Sequence, residues 1–157
     1  MLVEVKIGAL IMDPNTNTPI VVLKGVESEV ILPIWVGAFE ANAIALEIEK
    51  VAPQRPMTHD LLRNIIIEFG CLASKVVITD LLENTFYAVL ELTDKNGKML
   101  SLDARPSDAI ALALRLDCPI FVKQQVLDLS SVSQQSDQVA DIDQSVKPVE
   151  DWPDFIG

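Results

Sequence analysis

Apolar residues occupy every second position at Val3, Val5, Ile7, Ala9 and Ile11, with Glu4 and Lys6 between them. That is the period of a half-buried β-strand. Asp13-Pro14-Asn15 then marks a turn. Ile20–Leu23 and Val30–Val36 predict two more strands, parted near Gly25. After Gly37, residues 38–50 hold Ala, Leu, Ile and Glu without a breaker and predict a helix, ended by Pro53 and Pro56. Thr58 suits the N-cap of a second helix, with Met57 and Leu62 placed as a hydrophobic staple. Leu61, Leu62, Ile65, Ile66 and Phe69 form its apolar stripe, and Gly70 fits the C′ position. Val76–Leu82, Thr85–Leu92 and Met99–Ala104 predict three strands, the last two joined at Asn96-Gly97, a strong hairpin signal. Pro106 opens a further helix to about Asp117, and Ile120–Val122 predicts a short last strand.

Ala43-Ile44-Ala45-Leu46 recurs as Ala109-Ile110-Ala111-Leu112, an offset of 66 residues. Each copy follows three strand-like segments. The expected fold is therefore α+β, a mixed and mostly antiparallel sheet with helices, built by duplication of a βββα unit. Beyond residue 127 the pattern collapses into Ser130-Ser131, Ser133-Gln134-Gln135-Ser136 and scattered acids. The reading is one domain over residues 1–127 and an acidic, flexible tail over 128–157, with Trp152 and Phe155 near its end.

Composition narrows the class. With 157 residues and 50% hydrophobic content, the chain can bury a core of its own. Two cysteines, Cys71 and Cys118, form neither a disulfide framework nor a zinc-ligand spacing. No apolar run is long enough for a membrane span, and the start of the chain is unlike a signal peptide, so a cytoplasmic protein is expected. The 12 Lys and Arg against 23 Asp and Glu give a net charge of −11. That charge opposes nucleic-acid binding by phosphate neutralisation alone, so such binding needs a metal or a local basic cluster.

The chemistry-bearing residues gather at the two predicted strand-to-helix elbows and at the second helix start. One elbow reads Gly37-Ala38-Phe39-Glu40-Ala41-Asn42, the other Asp103-Ala104-Arg105-Pro106-Ser107-Asp108. Free backbone N–H groups at helix starts favour anions, although an Asp in a first turn has a plain dipole explanation as well. His59, the single histidine, lies beside Asp60; it suits a general base, a metal ligand or a solvated first-turn residue. Asp80 interrupts an apolar strand, where a carboxylate needs partners if buried.

These segments resemble the bifunctional nuclease family. The resemblance runs through Leu32-Pro33-Ile34-Trp35-Val36-Gly37, Phe39-Glu40-Ala41, Pro56-Met57-Thr58-His59-Asp60-Leu61-Leu62 and Val77-Ile78-Thr79-Asp80-Leu81. Its most specific block is Asp103-Ala104-Arg105-Pro106-Ser107-Asp108-Ala109-Ile110-Ala111-Leu112-Ala113, followed by Pro119-Ile120-Phe121-Val122. It covers about residues 1–125. The family implies a compact α+β fold and nuclease activity on DNA and RNA. Its pattern maps onto Glu40, His59, Asp60, Asp80, Asp103, Arg105, Ser107 and Asp108; Ala38 departs from it, where members often carry an acid.

Two function classes follow. As a phosphodiesterase, the chain would hold magnesium or manganese on Asp103 and Asp108, with Glu40 or Asp60 as a third oxygen donor. Arg105 would clamp the phosphate with Ser107 beside it, and His59 would take the water's proton. As a non-catalytic, oligomeric ligand-binding or regulatory module, the same residues would hold the elbows together. A homodimer is expected, because helices 38–50 and 106–117 are apolar on more than one face.

Overall fold

The computed structural model describes residues 1–136; residues 137–157 of the expected acidic tail lie outside them, among them Trp152 and Phe155. Its elements run β1 (Leu2–Met12), β2 (Pro19–Gly25), β3 (Ile31–Trp35), α1 (Ala38–Ile48), α2 (Thr58–Glu68), β4 (Leu72–Leu82), β5 (Thr85–Thr93) and β6 (Met99–Ala104). They close with α3 (Pro106–Leu116), β7 (Ile120–Lys123) and α4 (Gln124–Ser136). The fold is mixed α+β, as expected. Helix α4 was not foreseen: it continues directly from β7 and buries Val126, Leu127 and Ser130.

The seven strands form one sheet in the order β3-β2-β1-β7-β4-β5-β6. All neighbours are antiparallel except β4 and β7, which pair in parallel. Each half is a three-strand meander followed by a helix, and β7 stands between the halves. Two βββα successions thus occupy the two halves of the sheet, an arrangement compatible with a duplicated unit.

Local chemistry explains the turns. Gly97 takes φ +80° at the β5–β6 hairpin, and the Asp94 carboxylate accepts from Asn96 N at 2.8 Å and Lys98 N at 2.9 Å. Helix α3 starts with Pro106 after the extended Arg105 and stops where Asp117 turns left-handed at φ 56°. Helix α2 begins one residue earlier than the sequence reading. Met57, not Thr58, is its N-cap, because the Asp60 carboxylate reaches back to accept from Met57 N at 3.0 Å.

The core lies between one sheet face and the helices: Val21, Leu23, Leu32, Val76, Ile78 and Val122 pack with Ile44 of α1 and Ile110 of α3. Helices α1 and α3 pack part of their apolar surface on each other, while Phe39 and Ile48 of α1 stay exposed. The apolar character of these two helices is thus explained in part within one copy of the chain. Helix α2 differs from expectation in the other direction: of its predicted stripe only Ile66 packs on the core, and no residue of α2 is fully buried. Among the described residues no helix is long and apolar enough to cross a membrane.

Candidate functional site

Three helix starts, α1, α2 and α3, each carry an acid at the third helical position: Glu40, Asp60 and Asp108. The partial positive charge of a first turn favours an anion there. What distinguishes this chain is that each carboxylate is also turned onto a cationic or imidazole side chain.

Asp108 is the hub. His59 Nε2 lies 2.9 Å from Asp108 Oδ1, Arg105 Nε donates to Oδ2 at 2.7 Å, and Arg105 Nη2 to Oδ1 at 3.2 Å. The same guanidinium reaches Glu40 Oε1, with Nη2 at 3.1 Å. Gly37, the N-cap of α1, leaves the space in which the Glu40 carboxylate folds back; a Cβ there would strike Glu40 Oε2. Burial pushes the Asp108 carboxyl up, but hydrogen bonds and charge from Arg105 and His59 outweigh it and hold the group below its ordinary 3.8. Asp108 in turn raises the Arg105 guanidinium further. The Arg105 side chain remains 66% exposed, so the cation faces solvent, whereas the His59 side chain is 12% exposed.

A second cluster stands behind the first. The Arg115 side chain is 4% exposed, and its Nε donates to Asp60 Oδ1 at 2.9 Å. Its Nη1 donates to the Ala111 carbonyl and its Nη2 to the Ala43 carbonyl, each at 2.9 Å. Arg63 Nε donates to the Arg115 carbonyl at 3.1 Å. One buried guanidinium therefore ties α1, α2 and α3 together beside the hub. Burial pushes Asp60 up as well, yet the Met57 N–H and Arg115 prevail and lower its carboxyl below 3.8. Sequence reasoning missed Arg115. Its signal was present, since it is the lone charge between Ala109 and Leu116 on a helix otherwise apolar there.

Of the residues singled out in the sequence, Glu40, His59, Arg105 and Asp108 meet, with Asp60 next to them through α2. Ser107 is buried in the first turn of α3. Asp103 and Asp80 stand apart. Ala104 pairs with core residue Ala88, so strand alternation turns Asp103, paired with Val89, to the other face. Asp80 lies near Gln125 of α4, whose Nε2 donates to the Thr79 carbonyl at 3.3 Å and to Asp80 Oδ1 at 3.5 Å. The expected metal-holding pair, Asp103 and Asp108, therefore does not share a face. Glu40, Asp60 and Asp108 are engaged with arginines, and among the described residues no three His, Cys, Asp or Glu side chains form a group able to hold a metal. This donor set does not fit a preformed magnesium or manganese site.

The bifunctional nuclease domain matches residues 21–135. The chain belongs to that family. An uncharacterized protein of Mycobacterium tuberculosis is 39% identical over 155 residues, covering 98% of this chain and 92% of that protein. Bifunctional nuclease 1 of Oryza sativa subsp. indica is 28% identical over 101 residues, 63% of this chain and 30% of the rice protein. Bifunctional nuclease 2 of Oryza sativa subsp. japonica is 30% identical over 101 residues, 63% and 31% of the two chains. The matched region of the family contains every residue of both clusters.

Proposed function

We propose that this chain is a nuclease, a phosphodiester hydrolase acting on DNA and RNA in the cytoplasm, with its site at the paired starts of α2 and α3. The observation that carries the reading is the run Glu40–Arg105–Asp108–His59, one exposed guanidinium and one imidazole sharing a carboxylate. An ionised carboxylate only accepts, so Asp108 holds the proton of neutral His59 on Nε2 and leaves Nδ1 as the accepting nitrogen. His59 is then poised to take a proton from water at Nδ1. As the water oxygen bonds to phosphorus, the bond to the leaving oxygen breaks, and that oxygen takes up a proton from solvent. Arg105 supplies two-point contact with the phosphoryl oxygens by yielding part of its hold on Glu40. Adjacent helix starts add N–H groups that favour the anion.

The test is cleavage of labelled DNA and RNA oligonucleotides by wild type, His59→Gln, Arg105→Lys and Asp103→Asn, each with Mg²⁺, with Mn²⁺ and with chelator. Loss in the first two variants, with Asp103→Asn retaining wild-type turnover, supports the reading. Equal activity in all four assigns the signal to a contaminant. Loss in Asp103→Asn together with a strict metal requirement would return the reaction to the Asp103–Asp108 carboxylate pair.

A second reading is favoured by one observation: Arg105 is already held by two carboxylates of its own chain. In a non-catalytic module these ion pairs would serve to lock α1 onto α3. Intact nucleic acid in every assay, with folded protein, would establish it.

A further inference from the structure

Helix α2 carries His59 and Asp60 on the side facing α3, while its opposite side is apolar and uncovered. Leu61, Leu62, Ile65 and Phe69 line that side, all exposed, with Phe69 at 72%. We propose that this stripe is the surface by which two copies of the chain associate, about a two-fold axis passing near Ile65.

Area supports a second copy as the occupant. The four side chains leave on the order of 400 Å² of apolar surface, in the range of the largest patch a monomer normally shows. Joining two such stripes buries about 800 Å² of apolar surface, and the polar rims around them bring the total to about 1,000 Å², the size at which specific interfaces begin. The stripe is also suited to pairing with itself. Ile65 lies midway between Leu61 and Phe69, so an antiparallel crossing sets Leu61 of each copy against Phe69 of the other. The flanking charges agree. Arg55 and the electropositive start of α2 lie at one end and Glu68 at the other, both residues exposed. Antiparallel pairing brings each Glu68 to the opposite copy's Arg55 end.

The association would also bear on the site. In a single copy α2 is held by Ile66 and by polar ties through His59, Asp60 and Arg63, without one fully buried side chain. Covering its outer face supplies the apolar anchorage that a helix of this composition lacks.

The test is mass by light scattering on the full chain at about 100 µM, for wild type and Ile65→Glu, with circular dichroism to confirm the fold. Wild type at twice 17.2 kDa and Ile65→Glu at 17.2 kDa is the expected result. Wild type at 17.2 kDa overturns the proposal, as it would if residues 137–157 or another molecule covered the stripe. A dimeric Ile65→Glu also overturns it. Should that variant fail to fold, Ile65→Cys treated with diamide decides: double-mass product above the wild-type background from Cys71 and Cys118 supports the axis, and background alone refutes it. Neither measurement uses activity, so the proposal stands or falls separately from the nuclease reading.

Discussion

His59 and Asp108 are 49 residues apart in sequence, and their side chains meet at 2.9 Å between Nε2 and Oδ1. The contact joins the first turns of two helices, each with its acid at the third position. With Asp108 ionised, it places the imidazole proton on Nε2 and leaves Nδ1 as the accepting nitrogen. Replacing His59 with Gln keeps a hydrogen-bonding side chain but removes the proton acceptor. Turnover is expected to fall by about 10²- to 10⁴-fold with little change in KM, the range a positioned general base contributes. Steady-state cleavage kinetics check it.

Gly37 gives a test in which site and stability separate. The clash of an added Cβ is with the far end of the flexible Glu40 side chain, not with backbone. Gly37→Ala should therefore cost no more than about 1 kcal/mol, the scale of a weakened N-cap. Glu40 must leave its position at Arg105. The freed guanidinium should bind phosphate more tightly, read as a lowered Kd for a non-cleavable oligonucleotide with the melting temperature nearly kept.

Arg115 is the opposite case. Arg115→Met leaves Asp60 Oδ1 and the carbonyls of Ala43 and Ala111 without their donor. Removing one partner of a buried pair costs roughly 3–5 kcal/mol. Denaturant unfolding should show a loss of that order, and Arg115→Lys should recover little, because an ammonium cannot span three acceptors on three helices.

Acid should loosen the same joint. Both Asp60 and Asp108 lie below 3.8 in the folded chain, so the unfolded chain binds more protons as pH falls past their ordinary values. Their contribution is complete above about pH 5 and is lost as pH drops through the depressed folded values. Thermal melts from pH 6 to pH 2 should show a falling limb that is shallower in Asp108→Asn.

The core answers to size. Ile44 and Ile110 have no exposed surface and join α1, α3 and the sheet. Ile110→Ala is expected to cost about 2–5 kcal/mol by urea unfolding, since close packing around it leaves a cavity.

Much of this architecture was legible because it rests on local signals. The alternation in β1, the Asn96-Gly97 turn and Pro106 at the start of α3 each act within a few residues. Glu40, His59, Arg105 and Asp108 were legible as chemistry-bearing types at element starts. Their convergence was not, because it depends on how α2 crosses α3. The offset of 66 residues aligns Asn42 with Asp108, yet by helix position Asp108 corresponds to Glu40. A sequence echo registers the buried faces and misses the two-residue difference at the helix starts. Asp103 was misjudged for a related reason: adjacency to Arg105 in the chain means little when the strand's pleat reverses every side chain. The stripe of α2 was legible but its direction was not, because periodicity reports that a helix has an apolar side, not which way that side turns.

Strand β7 imposes an order of events on a growing chain. It lies in the middle of the sheet, yet its residues 120–123 follow all six other strands in sequence, and it pairs Lys123 with Leu2. Two meanders must therefore emerge and persist with facing edges, β1 and β4, open to any other strand. Closure of that gap spans almost the whole described chain, a separation that slows folding and leaves an aggregation-prone interval. Ribosome-bound chains halted before residue 120 should pair wrongly or attract chaperones, and release of the last strand should end that exposure in a single cooperative step.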